Sequence, residues 1–221
     1  MQAQSIIKHS IRGASTNATR LQTFHSEAPF ETVSDRHKSG QIYQSLRQCA
    51  RDPSPNTEWL ARILSSWCSG QGTLPDYLGL QPDEFQAMQN HFFGQTSLRG
   101  ISPLGRKSDF SRMLERDDLM RLILQYSAYP GKAETAWVAG ILIAGCLGSD
   151  HLWQDLGLWS RGELSELIRF NFPGLAAKNS RDMKWKKFFY KQLCEAEGVY
   201  LCRAPSCDVC ADHAGCFGPE E

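Results

Sequence analysis

Hydrophobic residues recur every three or four positions along most of the chain between residues 41 and 198. The clearest run follows a predicted helix N-cap at Asn56 and comprises Leu60, Ile63, Leu64 and Trp67. Convincing alternation of polar and apolar residues, the mark of a half-buried strand, is missing over any five positions. The pattern therefore predicts an all-α fold, in which a compact helical domain buries the apolar faces.

Three later segments extend this prediction. Residues 133–147 predict a mostly apolar core helix, which is too short to cross a membrane because a crossing helix needs about 20 residues. Ser160 and Glu163 have the spacing of a capping box and predict the start of the next helix. The last predicted helix covers residues 181–196. One of its faces is predicted to consist of Trp185, Phe188, Phe189, Gln192 and Ala196, and the opposite face carries Lys184, Lys187 and Lys191.

The chain divides into three parts by composition. Residues 1–40 are polar and predict a flexible tail, residues 41–198 predict the helical domain, and residues 199–221 predict a cysteine-rich metal-cluster loop. The 24 basic and 24 acidic residues balance, which gives no reason to expect a nucleic-acid partner or an acidic membrane surface. The first twelve residues hold no continuous apolar run of the kind found in secretory signals, so we expect a cytoplasmic protein.

Four of the eight cysteines fall within fifteen residues, in the spacing Cys202-x4-Cys207-x2-Cys210-x5-Cys216. Thiolates are soft ligands that select zinc, Cu(I) or iron–sulfur clusters, and a reducing compartment does not sustain disulfides. The four sulfurs are close enough in sequence to hold one shared metal centre. Because Cys216 lies near the end of the sequence, we expect such a centre to be open to solvent or to a partner.

The spacing alone leaves the nature of this centre open. The first three cysteines have the C-x4-C-x2-C spacing of plant-type ferredoxins, whose fourth ligand is distant in sequence, whereas here the fourth is local. Zinc sites commonly separate two cysteine pairs by a longer gap, although compact zinc knuckles exist and His213 offers an alternative ligand. An iron–sulfur cluster is the favoured interpretation, ahead of zinc and of a redox-active or structural role.

The cysteine spacing and the segments before it resemble the NifQ family of nitrogen-fixation proteins. The segments that carry the resemblance are HLWQDLGLWSR (residues 151–161), NFPGLAAKN (171–179) and DMKWKKFFYKQLCEAEG (182–198). Weaker similarity is found in LPDYLGL (74–80) and ERDDL (115–119). The resemblance covers roughly residues 41–221.

The resemblance implies a carrier of a molybdenum–iron–sulfur cluster, rather than a turnover enzyme. Such a protein donates molybdenum for the iron–molybdenum cofactor of nitrogenase and acts with the nitrogenase iron protein and the cofactor-assembly scaffold. It also implies that Cys202, Cys207, Cys210 and Cys216 are the cluster ligands. Two alternatives stay open, a zinc-stabilised helical adaptor and an iron–sulfur electron-transfer protein.

Other candidate residues have ordinary structural explanations. His151 is interpreted as a capped or buried structural histidine and His213 as a surface residue. Cys194, eight positions before Cys202, is interpreted as a structural cysteine. The lysine face of the last helix could attract molybdate or an acidic partner, but a solvated helix face is the default interpretation.

Overall fold

A computed structural model describes residues 33–94, 104–107 and 109–197. Within these ranges the regular elements are α-helices and two short 3-10 turns, at Asp76–Gly79 and Phe110–Arg112, and the predicted all-α class is confirmed for them. The helices are α1 (Val33–Gln48), α2 (Pro55–Cys68), α3 (Pro82–Phe92), α4 (Arg116–Gln125), α5 (Ala133–Gly145), α6 (Leu152–Asp155), α7 (Arg161–Asn171), α8 (Pro173–Lys178) and α9 (Trp185–Glu197).

Helix α5 lies at the centre of the helical domain, as its apolar sequence predicts. The stretch from Val138 to Gly145 is buried, so α5 has no polar face of the kind a surface helix carries. It packs against α3, α4, α6 and the turn at Asp76–Gly79. Among the described helices, none combines the length and apolar character that a membrane crossing requires.

The turn at Asp76–Gly79 fits tightly against α5. Tyr77 and Leu78 adopt the left-handed conformation, with φ of 59° and 56°, and Gly79 follows at φ 82°. Any Cβ at position 79 would overlap the Cβ of Ala144 on α5. This position therefore requires glycine both for its φ angle and for the close approach of the two backbones.

Helix α2 begins earlier than its sequence predicts. The N-cap is Ser54, whose hydroxyl accepts a hydrogen bond from the Asn56 N–H at 3.2 Å, and Pro55 occupies the first turn. The prediction of Asn56 as the cap is wrong because its side chain pairs with another helix. Its amide exchanges two hydrogen bonds with the buried amide of Asn171 on α7, at 2.8 and 2.7 Å. This pair satisfies both amides and fixes α2 against α7.

An ionic network joins α1, α2 and α7 on a half-buried surface. The Glu58 carboxylate accepts a hydrogen bond from Tyr43 at 2.5 Å and pairs with Arg47 at 3.0 Å and Arg62 at 2.7 Å. Arg62 also pairs with Glu163 on α7 at 2.6 Å. Burial raises the pKa of Glu58, but the Tyr43 hydrogen bond and the two guanidinium charges outweigh it, so that pKa lies below its ordinary value.

The predicted start of α7 at Ser160 is confirmed, whereas the helical domain begins earlier than predicted. Helix α1 begins at Val33, eight residues before the predicted start of the helical domain at residue 41. The predicted capping box at the start of α7 is present in part. The Ser160 hydroxyl accepts from the Glu163 N–H at 3.2 Å, but the Glu163 carboxylate accepts from the N–H of Trp159 at 3.0 Å. The predicted tail before residue 33 and the predicted loop at residues 199–221 lie outside the described residues.

Candidate functional site

Helix α9 leads directly into the four-cysteine segment. The four predicted ligands, Cys202, Cys207, Cys210 and Cys216, lie outside the described residues, as does His213. The last described residue is Glu197, five positions before Cys202. The way in which α9 is held therefore bears on the predicted metal centre.

The buried face of α9 is aromatic. Trp185, Phe188, Phe189, Tyr190 and Leu193 are each less than 9% exposed. The rings of Trp185 and Phe188 meet edge to face at 5.7 Å between centroids. The predicted membership of Gln192 and Ala196 in this face is wrong, since Gln192 is half-buried and Ala196 is exposed. Tyr190 and Leu193 take their places, because α9 is rotated so that it packs against α4.

A buried ion pair also fixes α9 to the centre of the domain. The Lys186 ammonium contacts the Asp155 carboxylate at the end of α6 and donates a hydrogen bond to the Gly148 carbonyl at 2.8 Å. The Asp155 side chain is 1% exposed and that of Lys186 is 17% exposed. The hydroxyl of Thr73 donates to Asp155 at 3.0 Å, and the N–H of Asp150 donates at 3.1 Å. Helix α9, the segment at Thr73 and the segment at Asp150 are thus all bound to one carboxylate.

The Asp155 carboxylate is held at an energetic cost. Burial raises its pKa, and the Lys186 charge and the hydrogen bonds from Lys186 and Thr73 lower that pKa only in part, so it lies above its ordinary value. Gly148 makes room for this arrangement, because a Cβ there would overlap both the carboxylate and the Thr73 hydroxyl. The residues around the pair therefore allow the contact between Lys186 and Asp155 to form, although burial of the carboxylate is unfavourable.

The sequence interpretation missed this pair, although α9 carries a signal for it. Lys186 precedes Tyr190 by four positions and Leu193 by seven, which places it on the buried face of the helix. A lysine on such a face requires a buried acceptor, because an unpaired ammonium in the interior is costly. Nothing in the local pattern identifies Asp155 as that acceptor, since the two residues are 31 positions apart.

The start of α9 is set by a side-chain clamp. The Asn179 side chain accepts a hydrogen bond from the Met183 N–H at 2.8 Å and donates one to the Met183 carbonyl at 3.0 Å. Asp182, between them, adopts a left-handed conformation with φ 53°. The predicted start at Arg181 is therefore wrong: the clamp keeps residues 179–183 in a turn, and the helix begins at Trp185.

The four scattered cysteines, all among the described residues, form no disulfide bond there, and two of them are buried. Burial raises the pKa of Cys68 to about 12 and that of Cys146 to about 12, so both remain protonated at neutral pH. Because metal binding and nucleophilic attack require the thiolate, neither residue is suited to these reactions. Cys49 and Cys194 are half-buried. The predicted structural role of Cys194 stays a prediction.

His151 directly precedes α6 and is exposed rather than buried. The backbone N–H of His151 donates a hydrogen bond to the side-chain oxygen of Gln154 at 3.2 Å, and this bond is part of the cap of that helix. Of the two predicted roles, a capped or a buried structural histidine, this position agrees with a role in the helix cap and contradicts burial. In the ranges that the structure covers, no group of three histidine, cysteine or acidic side chains could hold a metal ion.

The described part of the chain is an all-helical domain whose last helix, fixed by a buried ion pair, leads into a segment with four closely spaced cysteines. The model of the family described as NifQ matches residues 59–218. The chain belongs to the NifQ family of nitrogen-fixation proteins.

Individual relatives agree with this assignment. Protein NifQ of Azotobacter vinelandii is 43% identical over 183 residues, which cover 78% of this chain and 93% of the relative. Protein NifQ of Klebsiella pneumoniae is 34% identical over 165 residues, covering 74% of this chain and 99% of the relative. A protein NifQ homolog of Sinorhizobium fredii is 38% identical over 162 residues, which cover 73% of this chain and 70% of the relative. No solved structure matches the chain.

Proposed function

We propose that this protein carries a molybdenum–iron–sulfur cluster on Cys202, Cys207, Cys210 and Cys216 and donates its molybdenum for the biosynthesis of the nitrogenase iron–molybdenum cofactor. One observation carries the proposal: four cysteines within fifteen residues begin five positions after a helix that is fixed to the domain core. Membership of the NifQ family supports the setting, nitrogen fixation.

The chemistry of the ligands suits such a cargo. Molybdate is a hard oxyanion, whereas molybdenum bridged by sulfide to iron is a soft-ligand species that thiolates hold well. The four cysteines would therefore supply the environment in which molybdenum is kept in its sulfide-bound form. Their sequence separations of five, three and six residues allow all four sulfurs to reach one centre.

Two cysteines of the helical domain support this assignment of ligands, because neither is suited to bind a metal. Cys68 and Cys146 are buried, protonated at neutral pH and committed to packing. A metal would have to displace core contacts to reach either sulfur. The clustered cysteines are therefore the better candidates among the eight in the chain.

The protein acts as a carrier rather than as a turnover enzyme in this proposal. Its partners are the nitrogenase iron protein, the cofactor-assembly scaffold and a molybdenum species such as molybdate. We expect the carrier to be cytoplasmic. The proposal requires neither nucleic acid nor a membrane.

Metal analysis and visible absorption of protein purified without oxygen test the proposal. We expect iron and molybdenum in fixed ratio to protein, with the visible absorption of an iron–sulfur cluster. The variant Cys207→Ser should lose most of this metal, because a hydroxyl is a poor substitute for a thiolate. The matched control Cys49→Ser makes the same chemical change at the end of α1 and should retain it.

Three results would reject the proposal. Stoichiometric zinc without iron or molybdenum would indicate a zinc-stabilised adaptor. Equal metal content in Cys207→Ser and Cys49→Ser would remove the ligand assignment. Retention of all molybdenum on addition of the assembly scaffold, with reversible one-electron cycling, would indicate an electron-transfer protein.

A further inference from the structure

A groove of about 290 Å³ lies between the end of α8, the turn that follows it and the side of α9. Three cationic side chains line it, namely Lys178, Arg181 and Lys191. Met183 and Phe188 are buried residues that also line it, and Gln192 and Glu195 lie along α9. The groove thus brings together three positive charges from three parts of the chain and a single carboxylate.

The turn that carries Arg181 is held in one conformation. The two hydrogen bonds between the Asn179 side chain and Met183 close it, and the N–H of Asp182 donates to the Asn179 carbonyl at 3.1 Å. A third contact comes from α7, where the guanidinium of Arg161 pairs with Asp182 at 2.8 Å. Arg181 is therefore presented from a fixed backbone rather than from a loose loop.

The acidic groups near the groove neutralise only part of this charge. Asp182 does not line the groove, and its carboxylate is paired with Arg161. Glu195 approaches the Lys191 ammonium only to 3.9 Å and accepts a shorter hydrogen bond from Gln192 at 2.6 Å. Lys178 lies over the ring of Tyr126, at 5.1 Å from its centroid, and this contact leaves its charge in place. The groove therefore keeps an excess of positive charge.

We infer that this groove binds a tetrahedral oxyanion. Convergent cations favour a compact dianion, because each Lys or Arg contributes a charge-assisted hydrogen bond to one of its oxygens. The amide of Gln192 offers a further donor. Lys191 and Gln192 belong to α9, the same helix that precedes the cysteine segment in the sequence. The choice of molybdate as the first probe rests on the proposed function.

An acidic segment of a partner protein is the competing occupant. Such a segment favours an extended row of charges, whereas these three cations line one short groove of about 290 Å³ with a polar lining. The other two lysines at the same side of the domain, Lys184 and Lys187, do not line the groove. The concentration of charge in the groove therefore favours the small anion.

Calorimetric titration of the full chain, free of metal, with sodium molybdate tests the inference. Parallel titrations with sulfate and phosphate identify which tetrahedral anion the groove prefers, and a peptide of ten glutamates represents an acidic partner. The variants Lys191→Gln and Arg181→Gln each remove one charge from the groove. Lys184→Gln removes the same charge from the exposed surface beside the groove and serves as the matched control, with circular dichroism as the check of folding.

We expect binding of one oxyanion per chain, weakened at least about fivefold by each groove variant and by less than about twofold by the control. Equal weakening by groove and control variants would overturn the inference, because it would show nonspecific attraction. Binding of the glutamate peptide without measurable binding of any oxyanion would overturn it in favour of a protein surface.

The same titration separates this inference from the proposed function. In the Cys207→Ser variant the groove is intact, so the oxyanion should bind with unchanged affinity even when the metal cluster is lost. An unchanged iron and molybdenum content together with no oxyanion binding would overturn the groove alone. Oxyanion binding with no iron or molybdenum in the purified protein would overturn the carrier function alone.

Discussion

Replacing Lys186 by methionine removes one partner of the buried ion pair while keeping an unbranched side chain of similar length. The Asp155 carboxylate, whose side chain is 1% exposed, would then lose its counter-ion. It would keep its hydrogen bonds from Thr73 and Asp150. The carbonyl of Gly148 would also lose the donor that now lies at 2.8 Å.

The magnitude follows from the burial of the two groups. Breaking a fully buried ion pair by removal of one partner costs about 3–5 kcal/mol. Lys186 retains 17% side-chain exposure, which places the expected loss at the lower end, about 3 kcal/mol. In a chain of this size, that loss lowers the melting temperature by about 6–12 °C. The pKa of Asp155 should rise further, because the charge that lowers it is gone.

A double-mutant cycle measured by urea unfolding of the metal-free chain checks this value. Asp155→Asn alone removes the carboxylate charge, and in the Lys186→Met background it removes the uncompensated charge. We therefore expect the double variant to lose less free energy of unfolding than the two single variants lose together, and the difference should be about 1–2 kcal/mol. The substitution Lys191→Met, at an exposed lysine of the same helix, controls for the loss of positive charge from α9.

Additive losses, with a coupling free energy below about 0.5 kcal/mol, would refute the reasoning, because they would show that the two side chains do not interact in solution. An equal loss of stability in Lys191→Met would refute it as well. That result would attribute the effect to the charge of α9 rather than to the buried contact.

Three further predictions concern the rest of the helical domain. Gly79→Ala should lower the free energy of unfolding by about 3 kcal/mol, because it combines a positive φ with overlap at Ala144, whereas Gly131→Ala, with φ 77° and open space, should lose only about 1 kcal/mol. The pKa of Glu58 is lowered, so the stabilisation from its carboxylate is present above its ordinary value of 4.5 and is lost as the pH falls from 4.5 through the lower folded value. In an acid titration, Glu58→Gln should therefore lose less stability below pH 4.5 than the unchanged protein does. Cys146→Ala should cost about 1 kcal/mol in urea unfolding and leave the metal content unchanged, and a loss of metal would contradict its structural role.

The helical class and the central place of α5 could be predicted from the sequence because both depend on local periodicity. Apolar residues at helical spacing identify a buried face without knowledge of its partner. The aromatic residues Trp185, Phe188 and Phe189 were assigned to the buried face of α9 on this basis, and all three are buried.

The errors arise where distant residues compete with local signals. Asn56 has the residue type of a helix cap, but its amide is used by Asn171, which is 115 positions away. The rotation of α9, which buries Tyr190 and Leu193 in place of Gln192 and Ala196, is set by packing against α4. Neither contact can be predicted from the spacing of the residues that are near it in sequence.

The ion pair between Lys186 and Asp155 is best understood as a constraint on the orientation of α9. Apolar residues of similar volume can replace a buried ion pair with little loss of stability, so stability alone does not account for the charges. An aromatic face can slide or rotate by a fraction of a turn, whereas an ammonium that contacts one carboxylate and one carbonyl allows a single register. We infer that this register matters because α9 carries Lys191 and Gln192 to the groove and leads into the four cysteines, so that its orientation relates the two proposed sites to each other.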